Sequence, residues 1–195
     1  MSVPRSVLVL GTAGGVGATT TAAMIVAGLA GSTGRMPSLS DRTGGRLAGR
    51  TPAKLASLPP ETGIGIYDLG HHVTDGALAE LLISRALLVV TTAASTAAEK
   101  RGADRAKDAL DLVEGVVGIP RPLIVATQVF SRTTKQPAAR NTPFAVHAIP
   151  WDRALAAGGQ IHLESLDPST SGAFESLVLA VKRALDLASP IVTLP

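Results

Sequence analysis

Short runs of apolar residues alternate with longer, more polar segments along most of the chain. Each run is continuous and lacks the polar alternation of a half-exposed strand, which is typical of strands buried on both faces of a sheet. Strands that alternate with helical segments form parallel β-α-β units. We therefore predict an α/β fold, a single domain with a mostly parallel β-sheet and helices on both faces. The predicted strands are residues 7–10, 64–68, 86–91, 122–127 and 144–149. Residues 31–62 have the least readable pattern, with room for a short strand near 37–40.

The segments between these runs carry helical patterns. Residues 17–30 are apolar nearly all round, so we predict a helix that is packed deeply in the core. Thr74 or Asp75 is a suitable cap for another helix, and Thr96 with Glu99 has the spacing of a capping box. The remaining helices are predicted at 74–85, 96–112 and 171–188, with a short helix after Trp151 and a helical turn near 53–58.

The loop after the first strand reads GTAGGVGATT, residues 11–20. Glycines let successive backbone N–H groups turn toward a phosphate, and the helix that follows adds the positive end of its dipole. Thr19 and Thr20 open that helix, where a hydroxyl can reach Mg²⁺, but a simple P-loop motif has a lysine where this chain has Ala18. From the loop alone, a glycine-rich turn without a ligand is an equal alternative. The glycines in question are Gly14, Gly15 and Gly17.

The stretch TAGGVGATTTA resembles the deviant Walker A motif of the ParA/MinD family, the SIMIBI class of P-loop ATPases, which runs K-G-G-x-G-K-[ST]-[ST]. Aligned on GGVG, the first lysine of that motif falls on Ala13 and the second on Ala18. Both lysines are therefore missing, whereas the glycines and both threonines are kept. The resemblance implies a degenerate P-loop NTPase-like domain that spans the whole chain, 1–195.

Other segments resemble the same family, in the same order, over roughly residues 5–188. GIGIYDLG is similar to the Walker B strand, which assigns Asp68 a catalytic role in organising the attacking water and in holding Mg²⁺ with Thr19. PLIVATQV is similar to the strand whose end reads adenine, a position that falls here on Thr127 or Gln128. AIPWDRALAAGG is similar to the segment that closes over the base, which places Pro150 there.

The family also carries an aspartate after its second strand that activates the attacking water. In SLSDRTGGRLAGR the only candidate for this catalytic residue is Asp41. Asp41 alternatively matches the second aspartate of the family's D-x-D pattern, and Leu39 then occupies the catalytic place. Both registers stay open.

The missing lysines set the functional expectation. Loss of one positioned charge at a reacting phosphate costs about 3–4 kcal/mol, so the absence of two should leave ATP hydrolysis near background. We expect ATP and Mg²⁺ to bind weakly or not at all, unless arginines after the second strand, Arg42, Arg46 or Arg50, replace part of the charge. The leading interpretation is a pseudo-ATPase that serves as a scaffold or regulator in positioning, partition or a membrane-associated machine.

Two further functions stay open. One is an ATP-binding switch that dimerises with ATP. The other is a partition protein that binds DNA non-specifically through a basic loop containing Arg132, Lys135 and Arg140. The expected partners are thus another protein, a second copy of the chain, or weakly bound DNA. A metal site formed by Asp68 with His71 or His72 is also conceivable, although adjacent histidines usually point apart.

Composition narrows these classes. The chain has 195 residues, 46% of them hydrophobic, and no cysteine, which excludes disulfides, cysteine-based zinc sites and thiol catalysis. Its net charge of +3 permits nucleic-acid binding without indicating it. The run at the N-terminus imitates a secretory signal, but glycines interrupt it at once. No segment has the ~20 apolar residues of a membrane span, and the C-terminal tail lacks a basic amphipathic pattern. We therefore expect a cytoplasmic protein without direct membrane insertion.

Overall fold

The computed structural model describes residues 5–44, 46–128 and 142–187. Six strands form one sheet in the order β2-β3-β1-β4-β5-β6, and every neighbouring pair is parallel. This confirms the prediction of an α/β fold with a parallel sheet. The strands are β1 (Arg5–Gly11), β2 (Met36–Asp41), β3 (Pro60–Gly70), β4 (Leu87–Ala93), β5 (Leu123–Thr127) and β6 (Ala145–Ile149).

Helices cover both faces of this sheet. They are α1 (Ala18–Thr33), α2 (Arg46–Arg50), α3 (Asp75–Ile83), α4 (Thr96–Asp111), α5 (Arg153–Ala156) and α6 (Pro168–Leu187). Side chains of β1 alternate between the two layers, because Val7 and Val9 pack with α1 and α6 whereas Leu8 and Leu10 pack with α3 and α4. None of the helices in the described ranges combines the length and apolar character needed to cross a bilayer.

Several boundaries differ from the sequence-based prediction. The capping box at Thr96 is wrong, because Ser95 is the cap and accepts a hydrogen bond of 3.2 Å from the Ala98 N–H. The last helix begins at Pro168 instead of residue 171, as proline suits a first helical position that needs no N–H donor. Helix α2 was not predicted at all. The Thr74 cap of α3 is confirmed, since its hydroxyl accepts from the Ala77 N–H.

Helix α1 is deeply packed in the core, as its apolar sequence predicts. Its side chains contact the sheet on one side and α6 on the other. The two helices are in close contact at Gly28, where an added Cβ would lie 2.3 Å from Cγ2 of Val178. The position of α1, and hence of the loop before it, depends on this close contact.

We expect Gly28→Ala to lower the free energy of unfolding by about 1–3 kcal/mol, because the new methyl group would push α6 away from α1. Gly31→Ala is the matched control on the same helix, where nothing lies within 4 Å of the added Cβ. The control should gain roughly 0.5–1 kcal/mol from helix propensity. Urea unfolding followed by circular dichroism measures both, and equal effects at the two positions would contradict the packing argument.

Candidate functional site

The loop between β1 and α1 forms a concave backbone turn at the carboxyl edge of the sheet. Gly15 and Gly17 have φ values of 77° and 87°, in the left-handed region that favours glycine. Gly17 directly precedes the first helical residue, and its carbonyl accepts the Thr21 N–H at 2.8 Å. The glycines therefore turn the chain sharply into α1, as the P-loop interpretation requires.

Two alanines occupy the positions where the resemblance places lysines. Ala13 is exposed at the tip of the loop, and Ala18 is buried in the first turn of α1. The methyl group of Ala18 lies close to Gly11, with 3.4 Å between its Cβ and a Cβ added there. The loop thus contributes backbone N–H groups and the helix dipole, but no charged side chain.

Asp68 lies near the end of β3 and is fully buried. Its Oδ1 accepts the Gly70 N–H at 3.1 Å, whereas Oδ2 has no hydrogen-bond partner among the described residues. Burial raises the pKa of Asp68 and the charge of Asp41 adds to this, while the hydroxyls of Thr19 and Thr43 and the Gly70 N–H act in the opposite direction. The fold therefore brings together Thr19 and Asp68, the two residues expected to hold Mg²⁺.

The carboxylate of Asp41, at the end of β2, accepts hydrogen bonds from the segment that follows it. One carboxylate oxygen accepts the N–H and the hydroxyl of Thr43, each at 2.6 Å, and the other accepts the Leu47 N–H at 2.8 Å. These bonds hold the turn after β2 and the start of α2. In the alternative register, Leu39 packs against the core. Asp41 thus positions α2, whichever register applies.

Arg50 at the end of α2 fixes a second wall of the site. Its guanidinium donates to the Thr20 hydroxyl at 3.1 Å and to the carbonyl oxygens of Leu155 and Gly159. The Ile161 N–H in turn donates to the Arg50 carbonyl. Because its hydrogen-bond partners are neutral, this half-buried cation has no described carboxylate to compensate it, and burial lowers its pKa.

The loop, α2 and the segment around Gly159 line an open cavity of about 860 Å³. Arg42 and Arg46 line it together with Arg50, and both are exposed and without an ion-pair partner in the described part of the chain. No aspartate or glutamate is among the described residues that line it. The cavity is therefore positively charged on the side that faces the glycine-rich loop.

His71 and His72 follow β3 at the rim of this cavity. Contrary to the expectation that they point apart, their ring centroids are 3.6 Å apart with the planes tilted by 44°. Carbon Cε1 of His71 lies 3.4 Å from where a Cβ of Gly14 would be. Among the described residues there is no group of three histidine, aspartate or glutamate side chains able to hold a metal, so the proposed Asp68–histidine metal site is not supported.

The residues expected to bind adenine do meet at one place. Thr127, Gln128 and Pro150 line a second cavity beside Gly17 and Thr20, but its volume is about 40 Å³. A water molecule needs roughly 10–15 Å³ on this measure, so the cavity has room for a few waters and not for a purine ring.

Hydrogen bonds explain why this second cavity is small. The Thr127 hydroxyl is buried and donates to the Val16 carbonyl at 2.6 Å, which ties β5 to the glycine-rich loop. The Gln128 side-chain oxygen accepts the Trp151 N–H at 3.4 Å. Both side chains therefore bind the protein's own backbone, a role that sequence reasoning missed because it depends on contacts between distant segments.

The fold and this site define a parallel α/β domain with a glycine-rich loop between its central strand and a buried helix. Comparison with protein-family models and with curated proteins gives no match to the chain. The basic loop with Arg132, Lys135 and Arg140 lies outside the described residues.

The raised pKa of Asp68 predicts a pH dependence of stability. A folded-state pKa above the ordinary carboxyl value, about 3.9, means that protonation favours the folded chain, so its stability should fall as pH rises from about 4 through the raised pKa. We expect Asp68→Asn to be more stable than the parent at pH 7 by on the order of 1–3 kcal/mol, with a smaller difference at pH 4. Urea unfolding across this range measures it.

The matched control is Asp108→Asn, which removes an exposed carboxylate from α4 and should change stability little at either pH. If Asp68→Asn were less stable than the parent at pH 7, the buried carboxylate would have a stabilising partner, and this interpretation would be wrong.

The contacts of Arg50 predict a stability effect that its neighbour on α2 should not have. Arg50→Ala removes hydrogen bonds from one cation to three acceptors and should lower the free energy of unfolding by about 2 kcal/mol. Arg46→Ala should change it by less than about 0.5 kcal/mol, because Arg46 is exposed. Chemical denaturation of the two variants tests this, and equal effects would rule out a bridging role.

Proposed function

We propose that this chain is a degenerate member of the ParA/MinD family that acts as a scaffold or regulator and hydrolyses ATP weakly or not at all. The observation that carries the proposal is a glycine-rich loop that keeps its shape while Ala13 and Ala18 remove its charged side chains. Thr19 and Asp68, the pair suited to Mg²⁺, accompany that loop. The framework of a nucleotide-binding domain is thus kept without the charges that phosphoryl transfer requires.

The chemistry of hydrolysis supports the same proposal. Phosphoryl transfer depends on charges positioned at the transferred group and on a group that orients the attacking water. Ala13 and Ala18 supply no such charge, and the carboxylate of Asp41 is bound to α2 and its preceding turn. A protein with this site acts through what it binds, which favours a role as a partner of another protein or of a second copy in positioning, partition or a membrane-associated machine.

A second candidate is an ATP-binding switch, in which ATP drives dimerisation. The observation that favours it is the arginine-lined cavity, since Arg42, Arg46 and Arg50 could take over the charge of the missing lysines. Calorimetry with Mg-ATP and light scattering for a dimer separate the two candidates. Saturable ATP binding together with ATP-dependent dimerisation would favour the switch.

The proposal predicts that purified protein releases phosphate from Mg-ATP at the rate of a buffer blank. Asp68→Ala should leave that rate unchanged, because there is no enzymatic hydrolysis to abolish. A phosphate-release assay with both proteins measures this. Steady hydrolysis in the parent that disappears in Asp68→Ala would overturn the proposal, and the variant also controls for a contaminating ATPase, whose activity would survive the substitution.

A further inference from the structure

Helices α1 and α6 border an open, largely apolar groove of about 310 Å³, which we call the α6 groove. One wall is the outer side of α6, and the other consists of small residues of α1 together with Leu163 and Leu166, which precede α6 in the chain. Ala27 and Gly28 are too small to fill the space beside α6, and this leaves the groove open. None of the described residues that line it also lines the arginine-lined cavity. The groove is therefore a second surface, separate from the glycine-rich loop.

The side of α6 that borders this groove has apolar residues at its centre and a charge at each end. These residues recur at intervals of three or four positions, which places them on one face of the helix. Leu179, near the middle, is 48% exposed, although its neighbours Phe174 and Val178 are buried. Glu175 lies about one turn before it and Lys182 about one turn after it. A half-exposed leucine beside an apolar groove gains free energy when another surface covers it.

The two charges have no partners within the described part of the chain. Glu175 is exposed and Lys182 is half-buried, and no described residue forms an ion pair with either. Seven positions separate them, which is about two helical turns or roughly 10 Å along the axis, too far for the two side chains to pair with each other. The charges are opposite in sign and symmetric about the middle of the stripe, between Val178 and Leu179. The stripe is therefore complementary to a second copy of itself.

A second copy of α6 matches this pattern when the two helices run antiparallel. A two-fold axis near Leu179 places Glu175 of each copy opposite Lys182 of the partner subunit, so the same ion pair forms twice. The two Leu179 side chains then meet at the axis, next to the open groove. A parallel pairing would place like charges opposite each other and would be repulsive. Charge complementarity therefore selects both the occupant of the groove and its direction.

We propose that two copies of this chain form a dimer through the α6 groove, without ATP and with their α6 helices antiparallel. The apolar side chains around Leu179 form the centre of the interface, and the pairs of Glu175 with Lys182 form its rim. Because the groove and the arginine-lined cavity share no described residue, each copy keeps its own cavity. This interface goes beyond the proposed function, because it depends neither on ATP nor on the glycine-rich loop.

The test is sedimentation velocity of the full chain over a series of concentrations without nucleotide. We expect the parent to form a species of twice the 19.8 kDa of one chain. Leu179→Asp should abolish this species even at a hundredfold the dissociation constant of the parent, because it brings two carboxylates together in an apolar contact. Ile83→Asp is the matched control, since Ile83 is 57% exposed but lies on α3, in the other helical layer, and should leave the dimer intact. Circular dichroism checks that both variants are folded.

Charge reversal tests the antiparallel arrangement. Glu175→Lys and Lys182→Glu each replace two attractions in the dimer by two repulsions, and we expect each to weaken dimerisation roughly ten- to a hundredfold. The double variant, Glu175→Lys with Lys182→Glu, should restore most of the affinity. Because the two side chains are too far apart to pair within one helix, restoration would show that they pair between copies.

The contrary results are equally specific. A monomeric parent would overturn the inference and would leave the groove to residues 188–195 or to a different protein. A dimer that survives Leu179→Asp, or that forms only with ATP, would lie on another surface and would also overturn it. Reversed charges without effect, or without restoration in the double variant, would refute the antiparallel arrangement. None of these results bears on the proposed function, which the phosphate-release assay tests separately.

Discussion

Four backbone hydrogen bonds continue the pairing of the parallel strands beyond their carboxyl ends, and the site depends on them. They bring neighbouring loops together at one edge of the sheet, so residues far apart in the chain surround one cavity. The loop after β1 is held to β4, the loop after β2 to β3, and the loops after β4 and β5 to the next strand along. The bonds run from the N–H groups of Thr12, Arg42, Ala94 and Gln128 to the carbonyls of Thr91, Asp68, Thr127 and Ile149.

In this site the charged side chains lie on α2 and in the turn before it, whereas the family resemblance would place them on the glycine-rich loop. The glycine-rich loop contributes only backbone, whereas α2 brings Arg46 and Arg50 to the opposite wall. Asp41 makes this arrangement possible, since its carboxylate fixes the start of α2. Asp41, which resembles a catalytic residue by its position in the chain, therefore contributes to the site by holding α2 and its arginines in place.

Sequence reasoning predicted the features that depend on local pattern. The apolar runs gave correct strands, and the unbroken apolar surface of residues 17–30 correctly placed α1 in the core. Helix α2 was missed because five residues with one buried side chain, Leu47, carry no periodic signal. The bonds of Arg50 to Leu155 and Gly159 and the bond of Thr127 to Val16 could not be predicted, because each joins residues more than a hundred positions apart. Ser95 and Thr96 are both good caps, and only the backbone conformation decides between them.

The tight packing of α1 has a consequence for any ligand that the loop receives. The helix is anchored by the sheet and by α6, and the Val16 carbonyl is anchored by the Thr127 hydroxyl, so the protein's own contacts hold the loop in its turned conformation. The loop is preorganised. A ligand that enters meets N–H groups already in place, and association then loses little conformational entropy from the backbone. Natural selection can accordingly change the side chains at Ala13 and elsewhere on the tip while the shape of the loop persists.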